Sequence, residues 1–202
     1  MRSGPKKTRE TRRKKILQTA LEILPQRGFD GITIESIADA LGYTKPAIYY
    51  YFKNKDALLT SLVSEYLQDA YQAISRITDG DGSPKERLIH IICFYVDRNR
   101  EQRGYFAIDH HVGGFMKKMP DTAEANELRK LSTKIPSRII NLINEGIEAG
   151  EFRNEDPAVL GSLIFSLLAG VLTHMEMPSL SSLGIEGLKQ KVCDFALKGI
   201  VL

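Results

Sequence analysis

Residues 33–56 read TIESIADALGYTKPAIYYYFKNKD, and this stretch decides the fold. Ile34, Ile37, Ala38 and Leu41 recur at the i, i+3, i+4, i+7 spacing of an amphipathic helix. Thr33 suits the N-cap of that helix, and Ser36 and Asp39 fall on its wet face. Gly42 ends it, because glycine enters left-handed backbone space without a Cβ penalty. Thr44 can cap a second helix, and Pro46 is tolerated in its first turn, where backbone amides have no intrahelical partner. Ile48 and Phe52 are the expected core contacts of this second helix, with Lys45, Ala47, Tyr49 and Tyr50 pointing outward or sideways.

Three consecutive tyrosines on so short a helix need a reason. Tyr51 lies near enough to Ile48 and Phe52 to be partly core. Tyr49 and Tyr50 cannot share that face, since neighbours sit about 100° apart around a helix. Exposed aromatic hydroxyls beside lysines suit contact with phosphates and base edges in a major groove. A plain helical hairpin inside a bundle is the alternative that this stretch alone leaves open.

The rest of the 202-residue chain fits an ordinary globular protein, with 43% hydrophobic and 26% charged residues. Its net charge of +3 is unevenly spread. Residues 1–55 hold 12 Lys/Arg against 5 Asp/Glu, and residues 56–202 hold 16 against 20. A basic head on a mildly acidic body is the electrostatic footprint of a module that meets nucleic acid at one end. The basic N-terminus has no apolar stretch behind it and is not read as a signal peptide, so a cytoplasmic protein is expected.

In chain order, residues 1–8 form a polar basic arm, solvated or reaching a neighbouring groove. A helix begins near Arg9 with Ile16, Ala20, Ile23 and Leu24 on one face and Arg12, Arg13 and Lys15 away from it. Pro25 is expected to kink or end this helix, Gly28 and Gly31 to make the turn, and Phe29 to plug a three-helix head. Lys53-Asn54-Lys55-Asp56 opens a fourth helix that runs to about Ile77, a lever of roughly 30 Å at about 1.5 Å per residue. Residues 79–84 are a Gly/Asp/Ser/Pro linker. Leu88, Ile91, Ile92, Tyr95 and Val96 then share a helical face. Residues 104–119, with Gly113 and Gly114, are expected to be irregular. A long helix follows over about 122–149, kinked or locally loosened at Pro136.

Residues 158–175 are the most hydrophobic window, at the lower limit of the ~17–25 residues that span a bilayer. Acidic Asp156 and Glu176 flank them, while Ser162, Ser166, Thr173 and His174 interrupt them. Gly161, Ala169 and Gly170 instead favour close helix–helix approach, and no membrane span is expected. The last helix, 186–200, offers Leu188, Val192, Phe195, Ala196 and Gly199. No strand-like alternation or internal repeat appears.

Ala38 and Gly42, four apart, with Ile48 six later, resemble a DNA-binding helix-turn-helix. The wider string is Gly28-Phe29, Thr33, Ile37-Ala38, Leu41-Gly42-Tyr43-Thr44, Ile48-Tyr49-Tyr50-Tyr51-Phe52, Lys55 and Leu58. In order and without a gap, it resembles the TetR family of bacterial regulators, strongly over about residues 10–60 and elsewhere by length and helix pattern.

That resemblance implies an all-α fold of about nine helices. Residues 1–55 would be a three-helix helix-turn-helix DNA-binding head, and 56–202 a ligand-sensing and dimerisation bundle. The last two helices, about 157–176 and 186–200, would pair with their copies in a homodimer. The implied function is a dimeric transcriptional regulator, a repressor released from a palindromic operator by a small-molecule effector. Half-sites in such dimers lie about 34 Å apart or a multiple of this. Thr44, Lys45, Ala47, Tyr49 and Tyr50 are then the groove-facing candidates, with Thr33, Tyr51 and Lys55 on phosphates. Pro46 stands where the family commonly has glycine. It removes an amide that could contact the backbone, which bears on base preference rather than docking.

For the effector, the candidates are Phe94, Tyr95, His110, His111, Phe115, Met116 and Met119, where aromatics, methionines and polar groups cluster. Core packing is the alternative for each one singly. His110 and His111 are adjacent and diverge on any regular element, and no partners stand at ligand spacing, so no metal and no cofactor are expected. Cys93 and Cys193, a hundred residues apart, show neither a zinc pattern nor a disulfide framework. They are expected to be buried and reduced, with a thiol sensor left open. A Gly-rich phosphate loop, Gly-x-Ser-x-Gly and His-Glu-x-x-His are all missing, and an enzyme is not expected. Two other readings stay open: a ligand-independent DNA-binding regulator, and a helical interaction protein using its basic head on anionic lipids. The latter accounts for the charge but not for Gly42 or the tyrosine run.

Overall fold

The computed structural model describes residues 5–101 and 103–201. The helices are α1 (Pro5–Gly31), α2 (Ile34–Leu41), α3 (Lys45–Tyr49), α4 (Lys55–Thr78), α5 (Pro84–Glu101), α6 (Arg103–Lys118), α7 (Ala123–Glu148), α8 (Pro157–His174), α9 (Pro178–Ser181) and α10 (Gly184–Ile200). Among the described residues the extended pairing is one isolated antiparallel bridge, Phe152 with Val201. The basic arm expected over residues 1–8 has no described side chains, and the His110 side chain also lies outside the described residues.

The chain forms two compact units, the first of Met1–Tyr66 with Gln102–Ala125, the second of Leu67–Glu101 with Asn126–Leu202. α4 continues from one into the other. A division at residue 55 leaves α6 with the second unit, whereas α6 packs along α1 in the first. Ile16, Ala20, Leu24, Ile32, Ile37 and Ile48 are fully enclosed in this unit.

Two sequence expectations are corrected here. Residues 104–119 are helical through Lys118 rather than irregular. Two interior glycines cost about 1 kcal/mol each relative to alanine. Burial of Ala107, Ile108 and Met116, together with the stacking of Phe115 on Phe29, offsets that cost. Nor does Pro25 itself end α1; the helix runs through it and the kink falls at Gly28, a residue expected to make the turn, with φ 61° and ψ 178°. Pro25 has no N–H to give the Leu21 carbonyl, and α6 seats Gly104 on that same carbonyl. A Cβ at position 104 would lie 2.2 Å from the Leu21 oxygen, so only glycine fits this crossing.

In the second unit α7 is continuous across Pro136. The Phe152 ring occupies the space that a side chain at Gly146 would fill, with a hypothetical Cβ only 2.2 Å away. The Arg153 amide donates to the Ile200 carbonyl at 2.8 Å and ties down the end of α10. α8 buries Leu160, Ile164, Leu168 and Leu172 at i, i+4 spacing against α5 and α10. Its other face leaves Val159, Leu163 and Phe165 exposed, and Phe195 of α10 is 70% exposed. By length and composition alone α8 could cross a membrane.

Candidate nucleic-acid interface

The two helices of the opening stretch are set by their ends. Thr33 is extended and forms a reciprocal capping box: the Ser36 amide donates to Thr33 Oγ1 at 3.0 Å, and the Thr33 amide donates to Ser36 Oγ at 3.1 Å. Ser36 therefore closes a cap rather than simply facing water. Gly42, at φ 64° and ψ 32°, ends α2 in left-handed backbone, with the Tyr43 amide donating to the Ala38 carbonyl at 2.9 Å. Nothing crowds Gly42, so its torsion rather than space calls for glycine. Thr44 then caps α3, and Pro46 loses no hydrogen bond in the first turn.

Ile48 and Phe52 fix the second helix from below, against Ile37 and Ala38 of the same small core. That anchoring turns the tyrosines outward. Tyr49 is 50% and Tyr50 66% exposed, while Tyr51 is half-buried. Thr33, Thr44 and Lys45 are exposed, and Ala47 is half-buried. The Arg9 guanidinium lies 5.4 Å over the Tyr50 ring, whose edge meets Tyr51 at 5.1 Å. This cation stack, linking α1 to the tyrosine run, has no local signal in the sequence.

Two of the expected phosphate or groove cations are engaged in the free chain. Lys45 pairs with Glu35 of α2. Their mutual hydrogen bond is the first cause of a raised Lys45 pKa and a lowered Glu35 pKa. Lys55 donates its ammonium to the Asp30 carbonyl at 2.8 Å, and Asp30 in turn pairs with Lys118 of α6 at 2.8 Å. Arg13 lies over Phe52 and pairs with Glu65. Arg12, Lys14, Lys15 and Lys53 are exposed.

The effector candidates divide between the units. Phe94 and Tyr95 are on α5 of the second unit, in edge contact at 5.5 Å, with Arg98 over Phe94. His111, Phe115, Met116 and Met119 belong to the first unit; His111 is exposed and Met116 is buried. Phe115 stacks on Phe29 with ring centroids 4.6 Å apart. Phe115 and Met119 also line a cavity of about 670 Å³ with Phe29, Leu59, Lys55 and Lys118. Among the described residues no group of three or more His, Cys, Asp or Glu is placed to hold a metal ion.

Residues 16–62 match the family model described as bacterial regulatory proteins, tetR family. Residues 81–173 match that of the tetracyclin repressor-like C-terminal domain. The chain is 22% identical over 143 residues to the HTH-type transcriptional repressor KstR2 of Mycolicibacterium smegmatis, covering 71% of this chain and 68% of that protein. It is 44% identical over 55 residues to the class C tetracycline repressor protein of Escherichia coli, covering 27% of this chain and 25% of that one. Among solved structures, the ketosteroid transcriptional regulator KstR2 of Mycobacterium tuberculosis superimposes with a TM-score of 0.80 at 20% identity, over 95% of each chain.

Proposed function

Because the chain belongs to the TetR family and is a DNA-binding transcriptional regulator, we propose that it reads a palindromic operator through the tyrosine face of α3. The supporting observation is the exposure of Tyr49 and Tyr50 on a helix locked from below by Ile48 and Phe52. Thr44, Lys45 and Ala47 border the same face; Thr33, Tyr51 and Lys55 take phosphates. Lys45 and Lys55 first exchange Glu35 and the Asp30 carbonyl for phosphate oxygens. Two copies are presented by a homodimer built on α8 and α10, whose outward Val159, Leu163, Phe165 and Phe195 need a cover.

The effector is a small molecule with an apolar body and an anionic group. Phe29, Leu59, Phe115 and Met119 offer the apolar wall of the first unit's cavity, and Lys118, released from Asp30, the cation for the anionic group, in a rim that also carries Asp30, Asp56 and Glu124. A relative described as a fatty acid metabolism regulator fits that chemistry. Phe115 stacks on Phe29, one residue beyond the break at Gly28, so a ligand that displaces α6 acts on the base of the reading head. A coupling of ~1–3 kcal/mol between two head arrangements is enough for release.

The test is a titration of DNA flanking the chain's own gene, containing an inverted repeat. Two chains should bind per repeat, affinity should fall steeply with salt through counterion release, and a long-chain fatty acid should release the complex. Equal affinity for a scrambled duplex would sink operator recognition. Unchanged binding across a panel of fatty acids and steroid carboxylates would sink the effector assignment alone.

A further inference from the structure

The two cysteines are not scattered in space. α5 and α10 pack side by side in the second unit, and Lys189 of α10 donates to Asp97 of α5 at 2.7 Å. One turn back along α5 is Cys93, and one turn forward along α10 is Cys193. The helices therefore run antiparallel, with the cysteines at the next matching register, close enough for Cys93 to raise the pKa of the Cys193 thiol. Packed helix axes lie about 8–10 Å apart and Cα atoms about 2.3 Å from each axis, which leaves directly facing Cα atoms roughly 3.4–5.4 Å apart, overlapping the range a disulfide needs. Disulfides need about 4.4–6.8 Å. Cys193 is buried and Cys93 half-buried.

We propose that Cys93 and Cys193 are a reversible dithiol site that closes to an intrachain disulfide on meeting a peroxide, pinning α10 to α5. The inference rests on the second unit's geometry and does not depend on the operator or effector assignments. The Cys93 thiolate attacks one peroxide oxygen, breaking the O–O bond, and becomes a sulfenic acid as hydroxide leaves and is protonated to water. The Cys193 sulfur then attacks the Cys93 sulfur and loses its proton, and the sulfenic oxygen departs as a second water. Two thiols are oxidised by two electrons and one peroxide is reduced to two waters. Burial first, and Cys93 second, push the Cys193 thiol up to about 12, which leaves the more exposed Cys93 to meet the oxidant first.

The experiment treats the full chain with hydrogen peroxide, denatures it without reductant, alkylates with N-ethylmaleimide and measures intact mass and a peptide map. The expected product has lost the mass of two hydrogens, takes no alkylation, maps to one species joining residues 93 and 193, and regains both thiols with dithiothreitol. Cys93→Ala and Cys193→Ala, each checked for native helicity, should lose this product. Two free thiols after oxidation, separate sulfinic acids, or a link between two chains would each overturn the proposal.

Discussion

Within the first unit, α2–α3 and α6 reach helical structure by opposite routes. The α2–α3 pair carries its instructions locally: the Thr33–Ser36 capping box, the left-handed Gly42, the Thr44 cap and the Ile37, Ala38, Ile48 anchor all fall within 16 residues. α6 carries almost none. It holds Gly104, Gly113 and Gly114, and the packing of its inner face against α1 holds it together. A locally specified element can present a fixed face to DNA. One held by tertiary contacts alone can be shifted by whatever competes for those contacts.

The comparison breaks first at Gly104. Gly104→Val places branched carbons on the Leu21 carbonyl and should cost about 2–4 kcal/mol in urea unfolding; a loss below that of Gly42→Ala would show that the α1–α6 crossing is not tight. Gly42→Ala, at φ 64° with open space around it, should cost about 1–2 kcal/mol, and Gly42→Asn less. Gly113 and Gly114 sharpen the contrast with the opposite sign. Both are exposed with nothing near a hypothetical Cβ, so Gly113→Ala should raise stability by about 0.8–1 kcal/mol. A loss there would mean that α6 needs flexibility at this point.

The smallest expected effect concerns the Glu35–Lys45 pair. Glu35→Gln frees Lys45, leaves stability nearly unchanged because both groups are solvent-exposed, and should modestly tighten DNA binding with little change in its salt slope, since Lys45 reaches the same phosphate without first giving up Glu35. The pH dependence follows the same sign. The Glu35 pKa is lowered in the folded chain, so the pair's contribution is present above the unfolded-state pKa and is lost as pH falls through the folded value.

This contrast also sorts what the sequence revealed. The caps, the Gly42 turn and the outward Tyr49 and Tyr50 were legible because each depends on neighbours within four residues. The helical state of 104–119 was not, since Gly113 and Gly114 argue locally against it and the compensating α1 surface lies some 80 residues upstream. Pro25 misled for a related reason: the hydrogen bond it removes leaves the Leu21 carbonyl under Gly104, and no periodicity reports such a crossing. Lys45 and Lys55 were recognisable as cations near a groove. Their present partners, Glu35 and the Asp30 carbonyl, were not, because ion pairs between separate helices leave no sequence spacing to read.

Fluorescence anisotropy of a labelled duplex carrying the flanking inverted repeat, titrated with wild type and with the Tyr49→Ala/Tyr50→Ala double variant, addresses the reading face most directly. The double variant should unfold within about 1 kcal/mol of wild type, since both rings are at least half exposed and the main loss is the exposed Arg9–Tyr50 stack, and yet bind at least about tenfold more weakly, a difference of about 1.4 kcal/mol. Equal affinity of the two folded proteins for that duplex would contradict the account.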